Sequence, residues 1–221
     1  MKVCTDACVF GAHVAAHIDH AAVDAGAILD IGTGTGLLSL MLAQKTVATI
    51  DAVEIDIAAA KQANENFKGS PWKDRLKLFN IDVINFEPGK KYDCIIVNPP
   101  FYENDLRSPH EGKNKAMHEL TLNLGLLLTI IRKHLSATGF FSVLLPYHRV
   151  TEFIESARVH NFYLQEQLLL QHTNDHPWFR GILYFAGKEA TGIKKELAIK
   201  NKEGIYTPAF TALLKDYYLH L

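Results

Sequence analysis

A turn of four residues, Asn98-Pro99-Pro100-Phe101, follows the apolar run 94–97 and carries the most specific chemistry in the chain. The side-chain oxygen of Asn98 and the carbonyl of Pro99 are acceptors, and the two prolines stiffen the turn while removing two N–H donors. Two such acceptors can hold both hydrogens of a planar exocyclic amine, whose lone pair is otherwise delocalised into its ring. The Phe101 ring offers a face on which a flipped base can stack. The turn therefore predicts chemistry at the amino group of an adenine.

A Pro-Pro pair after a strand is also a common stop signal, with asparagine capping the turn. A second motif upstream favours a binding site instead. The apolar strand 27–31 contains Asp30 and leads into the glycine loop Gly32-Thr33-Gly34-Thr35-Gly36, which an apolar helical stretch follows. A strand, a glycine loop and a helix let the backbone approach a nucleotide closely. The third glycine comes two residues after the second rather than three, which argues against an NAD or FAD site.

Acidic residues end the next two predicted strands. Strand 49–53 stops at Glu54, which can accept hydrogen bonds from both hydroxyls of a ribose. Strand 76–81 stops at Asp82, placed to receive an adenine amino group. Each acid alone could be a solvated residue at a strand end. Together with Asp30 and Asn98, they put polar groups at the carboxyl ends of four successive strands, which predicts the lining of one site.

The chain resembles the S-adenosylmethionine-dependent methyltransferases that act on nitrogen, in the segments Asp30 to Gly36, Glu54-Ile55-Asp56, Asp82 and Asn98 to Phe101. Within that class it is similar to the bacterial tRNA1(Val) adenine-37 N6-methyltransferases. The residues that carry this likeness are 1–6, 98–104 and 196–219, so the resemblance spans essentially the whole chain.

This resemblance implies S-adenosylmethionine as cofactor, tRNA as partner and a direct displacement that carries the methyl group to the adenine amino nitrogen. The implied catalytic residues are Asn98, Pro99, Pro100 and Phe101. The implied cofactor contacts are Thr5, Asp30, Gly32, Gly34, Gly36, Glu54, Ile55, Asp82 and Asn98. Thr5, together with Asp6, would close the cofactor pocket from the amino-terminal side.

Three positions depart from the family pattern. Cys4 and Ala7 stand where glycine is usual or frequent, and Met117 stands where arginine often precedes His118. If that arginine contacts RNA phosphate in relatives, another residue must do so here.

The catalytic turn is shared by related enzymes, so several alternatives remain open. They are an rRNA guanine-N2 methyltransferase, a DNA adenine methyltransferase and a protein glutamine-N5 methyltransferase. A cofactor-binding regulator without catalysis is the alternative from a different class, and measurable methyl transfer to any RNA would exclude it.

Composition favours one methyltransferase domain over residues 1–221, because a chain of 221 residues with 48% hydrophobic content can bury a sizeable core. The apolar passages are too short to span a bilayer and no signal peptide is recognisable. We expect a soluble, cytoplasmic monomer without membrane contact. Three cysteines, Cys4, Cys8 and Cys94, have no spacing typical of a disulfide framework or a zinc site, so we expect no metal.

The net charge of −1 conceals an asymmetry between the two halves of the chain. Residues 1–105 contain 9 Lys and Arg against 14 Asp and Glu, whereas residues 106–221 contain 14 against 10. Basic surface attracts a phosphate backbone, so we expect the second half and the loop 102–115 to hold the tRNA. The five lysines at 188–202 could equally belong to an ordinary solvated hairpin.

Predicted strands at 27–31, 49–53, 76–81, 93–97 and 140–145 alternate with helical patterns at 36–45, 57–67 and 118–135, after an initial helix near 9–22. This alternation predicts an α/β fold with a doubly wound, mostly parallel sheet. A helix at 150–160, strands at 163–171 and 182–186, and a last helix from Pro208 complete the pattern. We therefore expect the seven strands of a Rossmann-like class I methyltransferase, with an antiparallel carboxyl-terminal edge.

Overall fold

The computed structural model describes residues 4–20, 26–99 and 124–220. In these ranges strands and helices alternate as the sequence predicts. The helices are α1 Thr5–His20, α2 Leu37–Lys45, α3 Ile57–Lys68, α4 Leu124–His134, α5 Val150–Val159 and α6 Pro208–Leu214. The strands are β1 Ala27–Ile31, β2 Thr49–Glu54, β3 Leu76–Asn80, β4 Tyr92–Val97, β5 Leu135–Pro146, β6 Tyr163–Gln171, β7 Trp178–Ala186 and β8 Ile193–Ala198.

All eight strands form one sheet in the order β3-β2-β1-β4-β5-β7-β6-β8. The first five in this order are parallel, β7 runs antiparallel to both of its neighbours, and β8 pairs parallel with β6. The α/β class and the mostly parallel sheet are confirmed. The sheet nevertheless has eight strands rather than seven, because the charged residues that resemble a solvated hairpin form the edge strand β8, where exposed lysines are well tolerated.

Helices cover both faces of the sheet. On one face, buried residues of α1, α2 and α6 pack against Ile28, Cys94 and Ile96. On the other face, α4 and α5 pack against Leu29 and Ile95. Successive residues of a strand point to opposite faces, and the central strands are therefore continuously apolar, as in parallel sheets buried on both sides. None of the described helices combines the length and hydropathy needed to cross a bilayer.

Three predicted starts differ from the structure by four or five residues, and one of them is that of β7, which begins at Trp178 rather than at residue 182. Helix α1 begins at Thr5 rather than near residue 9, and the side chain of Asp6 accepts a hydrogen bond of 3.0 Å from the Ala7 N–H in its first turn. Strand β5 begins at Leu135 directly after α4, five residues before the predicted start. A Cβ at Gly139 would lie 2.9 Å from the Asp93 carbonyl oxygen, so glycine permits close packing where its presence suggested a loop.

Candidate active site

The carboxyl ends of β1, β2, β3 and β4 lie side by side at one edge of the sheet. Ile31 of β1 pairs with Val53 of β2 on one side and with Val97 of β4 on the other. Glu54 at the end of β2 pairs with Asn80 at the end of β3. Because neighbouring strands are about 4.8 Å apart, the loop that follows β1 lies between Glu54 and the residue after Val97, which is Asn98.

The glycine loop is fixed to β2 and open on its other side. The N–H groups of Gly32 and Thr33 donate to the Val53 carbonyl at 2.8 Å and 3.1 Å. Gly32 and Gly34 have φ angles of 72° and 59°, in the left-handed region that favours glycine. A Cβ placed on Gly32 would meet nothing within 4 Å. The loop therefore presents bare backbone to open space, which a nucleoside could approach closely.

Gly36 has a packing role in addition to the predicted cofactor contact. It caps the start of α2 with a φ of 85°, and a Cβ there would lie 2.4 Å from a ring carbon of Phe67 in α3. That distance is far below a normal carbon–carbon contact. The third glycine of the loop thus lets α2 and α3 pack closely. Packing alone is therefore a sufficient reason for glycine at this position.

Glu54 connects the glycine loop to the start of α3. It is buried, and its two carboxylate oxygens accept hydrogen bonds of 2.8 Å from the N–H groups of Gly34 and Asp56. Each carboxylate oxygen has a second lone pair, so both can also accept from the hydroxyls of a ribose. Next to it, the Ile55 side chain is 65% exposed. A large apolar side chain exposed at this edge is suited to contact a flat ring.

Asp30 is fully buried beneath the glycine loop. Its Oδ2 accepts hydrogen bonds from the hydroxyls of Thr33 at 2.6 Å and Ser39 at 2.7 Å. Its Oδ1 has no hydrogen-bond partner among the described residues. Burial raises the pKa of Asp30 to about 6, although the two hydroxyls act in the opposite direction, and the charge of Glu54 raises it further. The sequence gives no direct indication of the two hydroxyl partners.

The end of β3 is linked to the end of β2 by a residue that sequence reasoning missed. The Asn80 amide donates to the carbonyl oxygens of Glu54 at 2.8 Å and Ile55 at 3.3 Å. Asp82 follows, and one of its carboxylate oxygens accepts from the Ile84 N–H at 3.0 Å, which caps the short 3-10 helix Val83–Asn85. The Ile84 side chain is 49% exposed. Asp82 therefore stands between exposed isoleucines at this edge.

Asn98 and Pro99 lie directly after β4, and both are half-buried. Their neighbours in the predicted turn, Pro100 and Phe101, lie outside the described residues, as does the loop 102–115.

Thr5 lies at the start of α1. With Asp6 it lines a pocket of about 640 Å³ whose other walls come from the residues just after β6, the start of β7 and the segment after β8. Among the described residues, no other predicted cofactor contact lines this pocket. The Asp6 carboxylate accepts from the Arg180 Nε at 2.9 Å, which joins the start of α1 to β7.

Comparison with known proteins identifies the family of the chain. Residues 2–154 match the family model of the methyltransferase small domain. A Dyadobacter fermentans protein named tRNA1(Val) (adenine(37)-N6)-methyltransferase is 45% identical, over 99% of this chain and 91% of its own length. A Klebsiella pneumoniae protein of the same name is 36% identical, over 100% and 89%.

Solved structures support the fold. A predicted O-methyltransferase from Agrobacterium tumefaciens superposes with a TM-score of 0.72 over 95% of each chain, at 16% identity. A glycopeptide N-methyltransferase in complex with S-adenosylmethionine superposes with a TM-score of 0.60 over 80% of this chain and 94% of its own, at 12% identity. On the full-length sequence matches, this chain belongs to the methyltransferase small domain family and, within it, to the family of the tRNA1(Val) (adenine(37)-N6)-methyltransferases.

Proposed function

We propose that this protein transfers the methyl group of S-adenosylmethionine to the N6 amino group of adenine 37 in tRNA1(Val). The observation that carries the proposal is the single edge at which the glycine loop, Glu54 and the Asn98-Pro99 pair meet. The relatives that share this chain over its full length, at up to 45% identity, carry the name of that activity.

The residues at this edge fit the cofactor. S-adenosylmethionine has a sulfonium and an ammonium cation, two ribose hydroxyls and a flat adenine. Asp30 and Glu54 supply buried carboxylates for the cations and hydroxyls, and the open side of Gly32 leaves room for backbone contact. We expect Asp82 to accept a hydrogen bond from the adenine amino group and the exposed Ile55 side chain to cover the ring. Ile84 is a further exposed apolar side chain close to Asp82.

The bound cofactor supplies an electrophilic methyl group on sulfur, and the protein must make the adenine amine nucleophilic. The side-chain oxygen of Asn98 and the carbonyl of Pro99 accept the two amino hydrogens. This geometry favours a pyramidal nitrogen whose lone pair is released from the ring. Holding the amine in line with the methyl group supplies much of the acceleration. The surplus proton is lost to solvent after transfer, so no carboxylate base is required.

Replacing Glu54 with alanine should weaken cofactor binding. Loss of charge-assisted hydrogen bonds to the ribose is worth about 1.5–3 kcal/mol, or roughly a ten- to hundredfold rise in Kd. Isothermal titration calorimetry with S-adenosylmethionine measures this directly. Glu54→Gln keeps an acceptor oxygen and should lose less affinity for the cofactor. Glu65 is an exposed acid on α3, and Glu65→Ala should bind the cofactor normally. A Glu54→Ala protein with normal affinity would contradict the placement of the ribose.

The product should be N6-methyladenosine. We expect labelled methyl groups to enter unmodified tRNA1(Val), and nucleoside mass spectrometry of the digest to identify the modified base. A transcript with guanosine in place of adenine 37 is the matched control and should remain unlabelled. Labelling of guanosine at N2 would transfer the assignment to the rRNA guanine enzymes, and labelling of protein glutamine alone would exclude RNA as the substrate.

A further inference from the structure

The pocket lined by Thr5 and Asp6 opens at the same edge of the sheet as Asn98. Because β7 is antiparallel, its beginning lies at the carboxyl ends of its neighbours, and Arg180 pairs with Pro146 of β5 and Leu170 of β6. Val97 at the end of β4 is level with Val143 of β5 and so with Leu183 of β7. Arg180 lies three residues beyond that level, so it is two strand spacings across and about 10 Å along the strand from Val97, or about 14 Å in all. The pocket of about 640 Å³ is therefore close to the proposed reaction centre.

Positive side chains dominate the pocket wall. Arg180, Lys200 and Lys202 line it together with a single carboxylate, Asp6, which already pairs with Arg180. Lys202 pairs with Asp175 at 3.1 Å, but their side chains are 71% and 60% exposed. An exposed ion pair contributes little stability. Lys202 can therefore exchange this carboxylate for a phosphate at small cost.

Flat rings lie beside these cations. His172 and Phe179 stack with ring centroids 4.2 Å apart and planes 5° from parallel, and both line the pocket. Tyr206 lines it as well. Phe210 stacks on its ring with centroids 4.7 Å apart, and the Lys200 ammonium lies 5.0 Å from the Tyr206 centroid. Aromatic faces interleaved with lysines and arginine are typical of sites that bind single-stranded nucleic acid, where bases stack and phosphates are neutralised.

Resting on the proposed function, we propose that this pocket binds a tRNA nucleotide that flanks the methylated adenine. Lys200 and Lys202 neutralise its phosphate, and its base lies against the rings of Tyr206 or Phe179. The volume is in the range of pockets that enclose one small ligand. This subsite gives the positive charge of the second half of the chain a specific role in binding phosphate. By holding the neighbouring nucleotide, it keeps the methylated adenine out of base pairs.

Fluorescence anisotropy with unmodified tRNA transcript tests this subsite. Removing two phosphate contacts in a Lys200→Ala, Lys202→Ala double variant should raise Kd about tenfold near 0.15 M salt and reduce the slope of log K against log salt by about 1.4. Tyr206→Ala should raise Kd with an unchanged salt slope, and Tyr206→Phe, which keeps the ring, should restore affinity. Lys188→Ala, an exposed lysine just after the end of β7 at the opposite edge of the sheet, is the matched control and should bind normally. Cofactor affinity should not change in any variant.

A second measurement locates the nucleotide. Anticodon stem-loops with 5-iodouridine on either side of the target adenine should crosslink to peptides that contain residues 172–180 or 200–206. Unchanged Kd and salt slope in the double variant, or crosslinks confined to other segments, would overturn the subsite. Methyl transfer by the unaltered protein separates the two hypotheses: transfer to tRNA with normal binding by the variants rejects only the subsite, whereas no transfer to adenine rejects the proposed function.

Discussion

Asn98→Ala is expected to lower the maximal rate of methyl transfer about a hundredfold or more, while the affinity for S-adenosylmethionine changes little. Asn98 lies directly after β4 and next to the glycine loop, because Val97 pairs with Ile31 of β1. We expect the hydrogen bond that its side-chain oxygen accepts from the amine to strengthen as the nitrogen becomes pyramidal and gains positive charge. An interaction made mainly in the transition state affects the rate rather than ground-state binding.

Single-turnover kinetics at saturating tRNA and cofactor measure this rate without interference from product release. Asn98→Asp keeps an acceptor at the same position and should retain more activity than the alanine variant. Asn64→Ala, an exposed asparagine on α3, is the control for a general effect of the substitution. Near-normal methyl transfer by Asn98→Ala under these conditions would mean that another group activates the amine.

The sheet could be predicted from the sequence where local and global signals agree. The runs that form β1 and β4 are apolar throughout, a pattern typical of parallel strands buried on both faces. A glycine loop and a Pro-Pro turn mark their ends. Because parallel strands end at a common edge, the positions of the glycine loop, Glu54 and Asn98 followed from chain order alone.

The edge strand β8 could not be predicted, because four of its six residues are exposed and three are charged. Its structure depends on pairing with β6, which a local pattern does not reveal. The pocket beside α1 was missed for the same reason. Its walls come from residues near 5, 172, 180 and 200, which only the order of β7, β6 and β8 in the sheet brings together.

The internal bonds of the site were also outside the reach of sequence reasoning. Asp30 and Glu54 were predicted to face a ligand, yet both already hold the protein's own groups: Asp30 binds two hydroxyls and Glu54 two backbone N–H groups. Residue type indicates that a carboxylate can accept hydrogen bonds, but the partner depends on side-chain packing. Asn80, which ties β3 to β2, has no recognisable motif at all.

Asp30→Asn should make the cofactor-free protein more stable at neutral pH. Burial raises the pKa of Asp30 from its ordinary value of 3.8 to about 6 in the folded protein. The protonated carboxyl therefore stabilises the folded state fully below pH 3.8, and this contribution is lost as the pH rises through about 6. At about 1.36 kcal/mol per pH unit, the loss reaches about 3 kcal/mol. Asparagine cannot ionise, so the Asp30→Asn protein does not lose this stability as the pH rises.

The same substitution should also weaken cofactor binding. The two cations of S-adenosylmethionine favour the ionised carboxylate, so we expect the Kd of Asp30→Asn to rise roughly ten- to hundredfold. Cofactor affinity of the unaltered protein should fall as the pH drops below about 6, where Asp30 takes up a proton. The affinity of the variant should show less of this dependence.

Chemical denaturation from pH 4 to pH 8 measures the stability difference, and calorimetry over the same range measures cofactor affinity. The two proteins should be nearly equal in stability near pH 4, and Asp30→Asn should become the more stable one between pH 4 and pH 7. Ser39→Ala removes a hydrogen bond that lowers the Asp30 pKa, so its stability should start to fall relative to that of Asp30→Asn at the same pH but continue to fall to a higher pH. Parallel stability profiles for Asp30→Asn and the unaltered protein would show that Asp30 is not the group that titrates, since the difference between the two profiles isolates this one carboxyl from all others.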